Sequence, residues 1–265
     1  MRRISIINLK GGVGKTTTTI NMAAILSKFY SQRVLIVDND IQANVTKYFD
    51  LHNYDLPSME DVYRYDDVNA KGIIRSSGVP GLMVDVLPSN MNMDDALTSL
   101  LKDSGREQIT CLRNSLKQVE DDYDFCIIDN PPGVGINILN AIACANDIIV
   151  PIKIDKNSLD GMQDLVEIAG DMAVYNPSLE SLACLITMYR KDMYAGDMVL
   201  RKSQYDVYHT HIRFSKKVDL WTFEKGSGLL SYSPRSAACI DYKLFVKEYM
   251  ESIRKKRRKE VFSHA

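Results

Sequence analysis

Residues 9–17, Leu-Lys-Gly-Gly-Val-Gly-Lys-Thr-Thr, gather three glycines, two lysines and two threonines into nine positions. Glycines let backbone N–H groups turn inward and ring a phosphate, and a helix that starts at the loop's end adds a favourable dipole. Lys15 offers a point charge to β- and γ-phosphates, and the Thr16 hydroxyl suits Mg²⁺. The general pattern G-x-x-x-x-G-K-[ST] asks for glycine at position 9. This chain has Leu9 there and opens the loop with a second lysine, Lys10. Further on, Asp38 and Asp40 stand at i and i+2 where an apolar run ends, so both share one side and can face a metal and a water. Asp129 closes a second apolar run. These residue types together describe phosphoryl transfer.

Such side chains need a scaffold that brings distant strand ends to one edge. Short β-branched runs are expected as strands over 4–8, 33–38, 82–87, 124–129, 147–152 and 182–187. Helical patterns fall between them at 15–30, 93–101, 106–119, 135–144 and 159–175, with a final helix over 236–259. This alternation predicts an α/β fold with a mostly parallel, twisted sheet and helices on both faces. Continuous apolar strands such as 34–37 and 125–128 read as strands covered on both sides. Ligands in such sheets bind beyond the carboxyl ends of the strands, where Lys10, Asp38, Asp40 and Asp129 lie.

The chain has 265 residues, 45% hydrophobic and 25% charged, which excludes collagen-like, disordered and disulfide-scaffold classes. Five scattered cysteines without a C-x-x-C pair predict reduced, buried thiols and a cytoplasmic setting. The motif begins within ten residues of Met1, so no secretory leader is expected. The apolar tract at 136–154 is too interrupted by polar residues to span a bilayer. Net charge is −1, unevenly spread: residues 201–265 hold 15 Lys+Arg against 7 Asp+Glu, and residues 1–200 hold 18 against 27. A basic end on an acidic body suggests a polyanionic partner, DNA or lipid, or else a solvated basic helix. His209 and His211 have no cysteine or carboxylate cluster beside them, so no metal site is expected there.

The loop form K-G-G-x-G-K-[ST] resembles the deviant Walker A loop of the ParA/MinD class of P-loop ATPases, and the chain looks most like the short, Soj-like ParA partitioning ATPases. The segment 38–44, Asp-Asn-Asp-Ile-Gln-Ala-Asn, resembles the family's D-x-D-P-Q-G-N, with Ile41 for Pro and Ala43 for Gly. Residues 129–133, Asp-Asn-Pro-Pro-Gly, resemble its Walker B strand end and turn. The resemblance implies one domain over 1–265, with a basic helical tail at about 250–265. It implies ATP and Mg²⁺ as cofactors, bound by Lys10, Gly11, Gly12, Val13, Gly14, Lys15, Thr16 and Thr17. Lys10 would act across a homodimer on the partner's ATP, Asp40 would position the attacking water, and Thr16, Asp38 and Asp129 would organise the metal. Met188 and Arg213 fall at the family's base-pocket positions.

By the same resemblance, the ATP-bound dimer binds double-stranded DNA without sequence preference, and a ParB-like centromere-binding protein resets it by stimulating hydrolysis. Such a protein would sit on the nucleoid. Candidate DNA contacts are Arg190, Lys191, Arg201, Lys202, Arg213, Lys216, Lys217 and Arg235. Six consecutive cations at 254–259 are flanked by only Ile253, Val261 and Phe262, too little apolar area for membrane insertion. A MinD-like, membrane-associated ATPase and a dethiobiotin-synthetase-like metabolic enzyme remain as alternatives.

Overall fold

The computed structural model of the chain describes residues 1–155, 158–221 and 226–263. Eight strands form one sheet: β1 Arg2–Ile6, β2 Val34–Asp38, β3 Arg75–Ser76, β4 Val84–Leu87, β5 Phe125–Asp129, β6 Asp147–Ile152, β7 Ser181–Ile186 and β8 Asp206–Val207. Their order is β3-β4-β2-β5-β1-β6-β7-β8, parallel throughout except for β3 against β4. The helices are α1 Lys15–Tyr30, α2 Asn44–Tyr48, α3 Met59–Arg64, α4 Met93–Lys102, α5 Cys111–Lys117, α6 Ile136–Cys144, α7 Ser158–Asp171, α8 Tyr194–Arg201, α9 Lys216–Trp221, α10 Leu229–Tyr232 and α11 Ala237–Ser263.

The sheet is covered on both faces, and the strands alternate accordingly. Val34, Ile36, Phe125 and Ile127 point into a core shared with α1, α10 and α11. Leu35, Val37, Cys126 and Ile128 point the other way, against α3, α4, α5 and α6. A third cluster joins the outward face of β6 and β7 to α6 and α7. Apolar residues at every strand position are what a doubly covered parallel sheet requires.

Three expected boundaries shift for identifiable reasons. The first strand lies over Arg2–Ile6 rather than 4–8, because Arg2 is neutralised inside the protein by Asp147 at 2.5 Å. The helix expected over 106–119 is confined to Cys111–Lys117. Arg106 is spent on the 63–66 turn, where it donates to the Tyr63 carbonyl (2.6 Å) and binds Asp66. The helix expected over 159–175 runs over Ser158–Asp171 and tightens to a 3₁₀ turn over Met172–Val174. The short α2, α3, α8, α9 and α10 and the two-residue β3 and β8 were not anticipated from the sequence pattern. Of the basic tail, residues 264 and 265 and the side chains from 257 onward lie outside the described residues.

Candidate active site

The glycine loop rises from the carboxyl end of β1, in the middle of the sheet. Gly12 and Gly14 take φ of +69° and +91°, conformations that a Cβ disfavours. A Cβ at Gly11 or Gly12 would meet nothing within 4 Å, so the loop stays open above its backbone N–H groups. Gly14 then caps α1, which puts those groups at a helix N-terminus. Asn8 braces the entry, accepting from the Lys10 N–H (2.9 Å) and donating to the Pro151 carbonyl (2.7 Å). The Gly133 N–H donates to the Leu9 carbonyl (2.8 Å), tying the loop to the turn after β5.

Lys15 is buried, and its Nζ donates to the carbonyls of Asn8 (3.0 Å) and Lys10 (2.9 Å) inside the loop. Burial lowers its pKa, against the pull of Asp129 and Asp40. Lys10 is half-exposed and pairs with Asp155 (2.9 Å). The two lysines of one loop thus have different settings: one enclosed, the other at the surface and held by a carboxylate.

Three buried carboxylates lie at the same sheet edge: Asp38 and Asp129 close β2 and β5, and Asp40 follows β2 by two residues. Asp129 accepts the hydroxyls of Thr16 (2.7 Å) and Thr19 (2.9 Å), which lie one turn apart on α1. Asp38 Oδ2 accepts both the backbone N–H (2.8 Å) and the hydroxyl (2.6 Å) of Thr46. Asp38 Oδ1 is buried and has no partner among the described residues. Asp40 accepts the Gln42 N–H (2.9 Å) in a tight turn. Burial pushes Asp38 up to about 7, helped by the charge of Asp129. It pushes Asp129 up to about 7 as well, against its two threonine hydrogen bonds. The donor set is all oxygen, the set that Mg²⁺ prefers, and an orphaned carboxylate oxygen is one a cation would satisfy.

A narrow cleft beside the loop is lined by Gly14, Thr17, Thr187, Met188, Arg213 and Phe214, among others. Met188 holds φ at +52° there. The Arg213 guanidinium lies on Asp241 through two contacts of 2.8 Å, so its charge is already engaged. Arg201 is likewise engaged, by Asp197 (2.6 Å) and the Tyr208 carbonyl (3.0 Å). Arg190, Lys191, Lys202, Lys216, Lys217 and Arg235 are exposed, and Arg190 lies over the Phe214 ring at 4.1 Å. The His211 ring lies tilted against Tyr189 at 4.0 Å, and no cluster of three or more His, Cys, Asp or Glu side chains placed to hold a metal ion by themselves occurs among the described residues. No helix of the described residues is long and apolar enough to cross a membrane.

Sequence reasoning missed Thr19, Thr46 and Asp155, the partners of the expected residues. Thr19 follows Thr16 at helical spacing, a signal that was available. Nothing local marks Asp155, 145 residues from Lys10.

A family model described as an AAA domain matches residues 1–181. The sporulation initiation inhibitor Soj of Bacillus subtilis is 30% identical over 254 residues, covering 92% of this chain and 96% of its own. Among solved structures, cobyrinic acid a,c-diamide synthase of Mycobacterium smegmatis with bound ADP and magnesium is 28% identical, covers 93% of each chain and has a TM-score of 0.75. McdA of Cyanothece in an ATP complex shares the fold, with a TM-score of 0.80 at 21% identity over 95% of this chain and 96% of its own. The chain belongs to the ATPases of the ParA/MinD type that carry the deviant Walker A loop, alongside the Soj-like ParA partitioning proteins.

Proposed function

We propose that this protein is an ATP-driven partitioning switch that dimerises on ATP, coats DNA without sequence preference and is reset by partner-stimulated hydrolysis. The observation that carries this reading is the loop itself: enclosed Lys15 and surface Lys10 in one glycine cradle, at a sheet edge that holds three buried carboxylates. Lys15 and the loop N–H groups hold the phosphates. Thr16, Asp129 and the free oxygen of Asp38 would hold Mg²⁺, which supplies charge neutralisation at the transferring phosphoryl group. Asp40 orients the attacking water, and Met188 and Arg213 border the base. Lys10 leaves Asp155 and reaches the partner's nucleotide, as an arginine finger does in trans. The exposed contact between Lys10 and Asp155 contributes little stability, so the exchange is easy.

DNA contact falls to Arg190, Lys191, Lys202, Lys216, Lys217 and Arg235, while Arg213, also exposed, and the half-buried Arg201 are held by Asp241 and Asp197. Phosphate contacts make such binding steeply salt-dependent. A ParB-like protein is the expected resetting partner. A second reading, a metabolic ATP-dependent enzyme, is favoured by the 28% likeness to the Mycobacterium smegmatis synthase.

The test is fluorescence anisotropy of a random-sequence duplex in ATP–Mg²⁺ and in ADP–Mg²⁺. Binding in ATP alone is expected, falling about tenfold or more between about 50 and about 200 mM salt. Lys10→Ala should abolish it. Equal binding in both nucleotides, or none, overturns the DNA switch. ATP-dependent sedimentation with anionic vesicles would then favour the MinD-like alternative, and turnover requiring a small-molecule acceptor would favour the metabolic one.

A further inference from the structure

Asn39 lies between Asp38 and Asp40 and is fully buried. Its backbone N–H donates to the Asp129 carbonyl (2.9 Å), one step past the Asp38–Asp129 register pair of β2 and β5. Its side-chain amide donates to Asn130 Oδ1 (2.8 Å) and to the Asn137 carbonyl (3.0 Å), while its Oδ1 accepts the Tyr63 hydroxyl (2.7 Å). Asn137 returns an N–H to the Asn39 carbonyl (3.0 Å). Asn130 donates in turn to Ser5 Oγ (3.0 Å) and to the carbonyls of Ile6 and Ile128 (3.2 Å each). A carboxamide both donates and accepts without carrying charge, so it can join strand ends where a further carboxylate would repel the three already present.

The placement of these amides is specific. Asn130 precedes the Pro131-Pro132-Gly133 turn and Asn137 follows it in the first turn of α6. Asn39 therefore grips both ends of that turn, and the turn's Gly133 is bonded to the glycine loop. Tyr63 reaches the same amide from α3, on the opposite side of β2 from α1.

We propose that Asn39, braced by Asn130, Asn137 and Tyr63, is a positioning residue for Asp40. It fixes the peptide on which Asp40 stands to the strand that ends in Asp129, so the two loops act as one body. This rests on the ATPase reading above. A buried network in low dielectric is stiff when complete and loses its geometry when one member is removed. Misplacement of a reacting group by about 1 Å is enough to slow a reaction about a hundredfold.

Phosphate release across a range of ATP concentrations, with duplex DNA present, tests it in the full chain. Tyr63→Phe removes one hydroxyl, keeps the ring packing and should lower kcat about threefold to tenfold, with KM and fluorescent-ATP affinity within about twofold. Asn130→Ala should lower kcat about tenfold or more with the same split. In an Asp40→Ala background the Tyr63→Phe loss should disappear, because there is no carboxylate left to position. Unchanged kcat in both variants overturns the proposal. So does a loss that persists at full size without Asp40, or one shared equally by KM and thermal stability. A wild-type protein that releases no phosphate sinks the ATPase reading and this inference with it. Wild-type turnover with unaffected variants sinks the inference alone.

Discussion

Asp147 and Asp129 are both buried aspartates in central strands, and they stand at opposite ends of the sheet. Asp147 opens β6 at the amino edge. Arg2 donates to it at 2.5 and 2.8 Å, Tyr249 of α11 at 2.7 Å, and Glu180 shares the same guanidinium at 2.7 Å. Burial alone would raise its pKa, but the hydrogen bonds from Arg2, Ser181 and Tyr249 carry it below the usual carboxylate range. Asp129 closes β5 at the carboxyl edge, beside two further carboxylates, and burial carries it up to about 7. One end of the sheet neutralises its charge within the chain. The other crowds three carboxylates, with Lys15 as the buried cation that feels Asp129 and Asp40, and burial there favours the protonated form of Asp38 and Asp129. The amino edge is internally paired, whereas the carboxyl edge carries buried carboxylates whose charged form is disfavoured.

The largest effect should come from breaking the amino edge. Asp147→Ala leaves Arg2 buried with Glu180 alone and strips Tyr249 of its acceptor. A loss of about 3–5 kcal/mol in urea unfolding is expected. The pH dependence has a definite sign. With its folded pKa depressed, Asp147 contributes stability that is fully present above its unfolded value near ~4 and is lost as pH falls through the lower folded value. Wild-type unfolding midpoints should therefore fall in that acid window, and an Asp147→Asn protein should lack that part of the fall. An equal acid response in both proteins would show that the network does not carry it.

The carboxyl edge should respond in the opposite direction. Asp38→Asn removes one of three crowded negative charges while keeping an oxygen for Thr46. Without nucleotide or metal the variant should be more stable by roughly 1–2 kcal/mol, because relief of buried like-charge repulsion outweighs the altered hydrogen bonding. The gain from adding ATP and Mg²⁺, read as a shift in Tm, should shrink at the same time. A variant that is destabilised, or whose ligand-induced shift matches wild type, would erase the contrast between the two ends.

How far this contrast could be read from sequence depends on the range of the interactions. The glycine loop, the paired Asp38 and Asp40 and the apolar strands are local signals, and the sheet was legible through them. Nothing local marks Arg2 as a buried charge, because its partner Asp147 is 145 positions away. The amide bridge from Asn39 spans 91 positions to Asn130 and 98 to Asn137. Amides have no periodicity or spacing rule to betray them. Arg213 was expected to meet base or DNA, and its engagement with Asp241, 28 positions on, depends on where α11 docks. The residue types at the loop and strand ends are local signals, whereas the long-range polar contacts around them became visible only in the fold.

The smallest effect concerns one residue beside the site. Ala43 replaces the glycine of the resembled motif and holds φ at +53°, in the left-handed region, just before α2. An L side chain there costs about 1 kcal/mol. Its N–H bonds the Asp40 carbonyl (2.9 Å), so the strain is held by the turn that carries the carboxylate. Ala43→Gly removes the strain but gives the unfolded chain more freedom, worth about 0.4–1 kcal/mol the other way. The net change in urea unfolding should be within about 0.5 kcal/mol of zero. Phosphate release is the sharper measurement, since a glycine loosens the turn under Asp40 and should lower kcat about twofold to threefold at unchanged stability. An unaltered rate would mean that the turn is held by the Asn39 side of the loop alone, and that the strain at Ala43 has no bearing on the carboxylate.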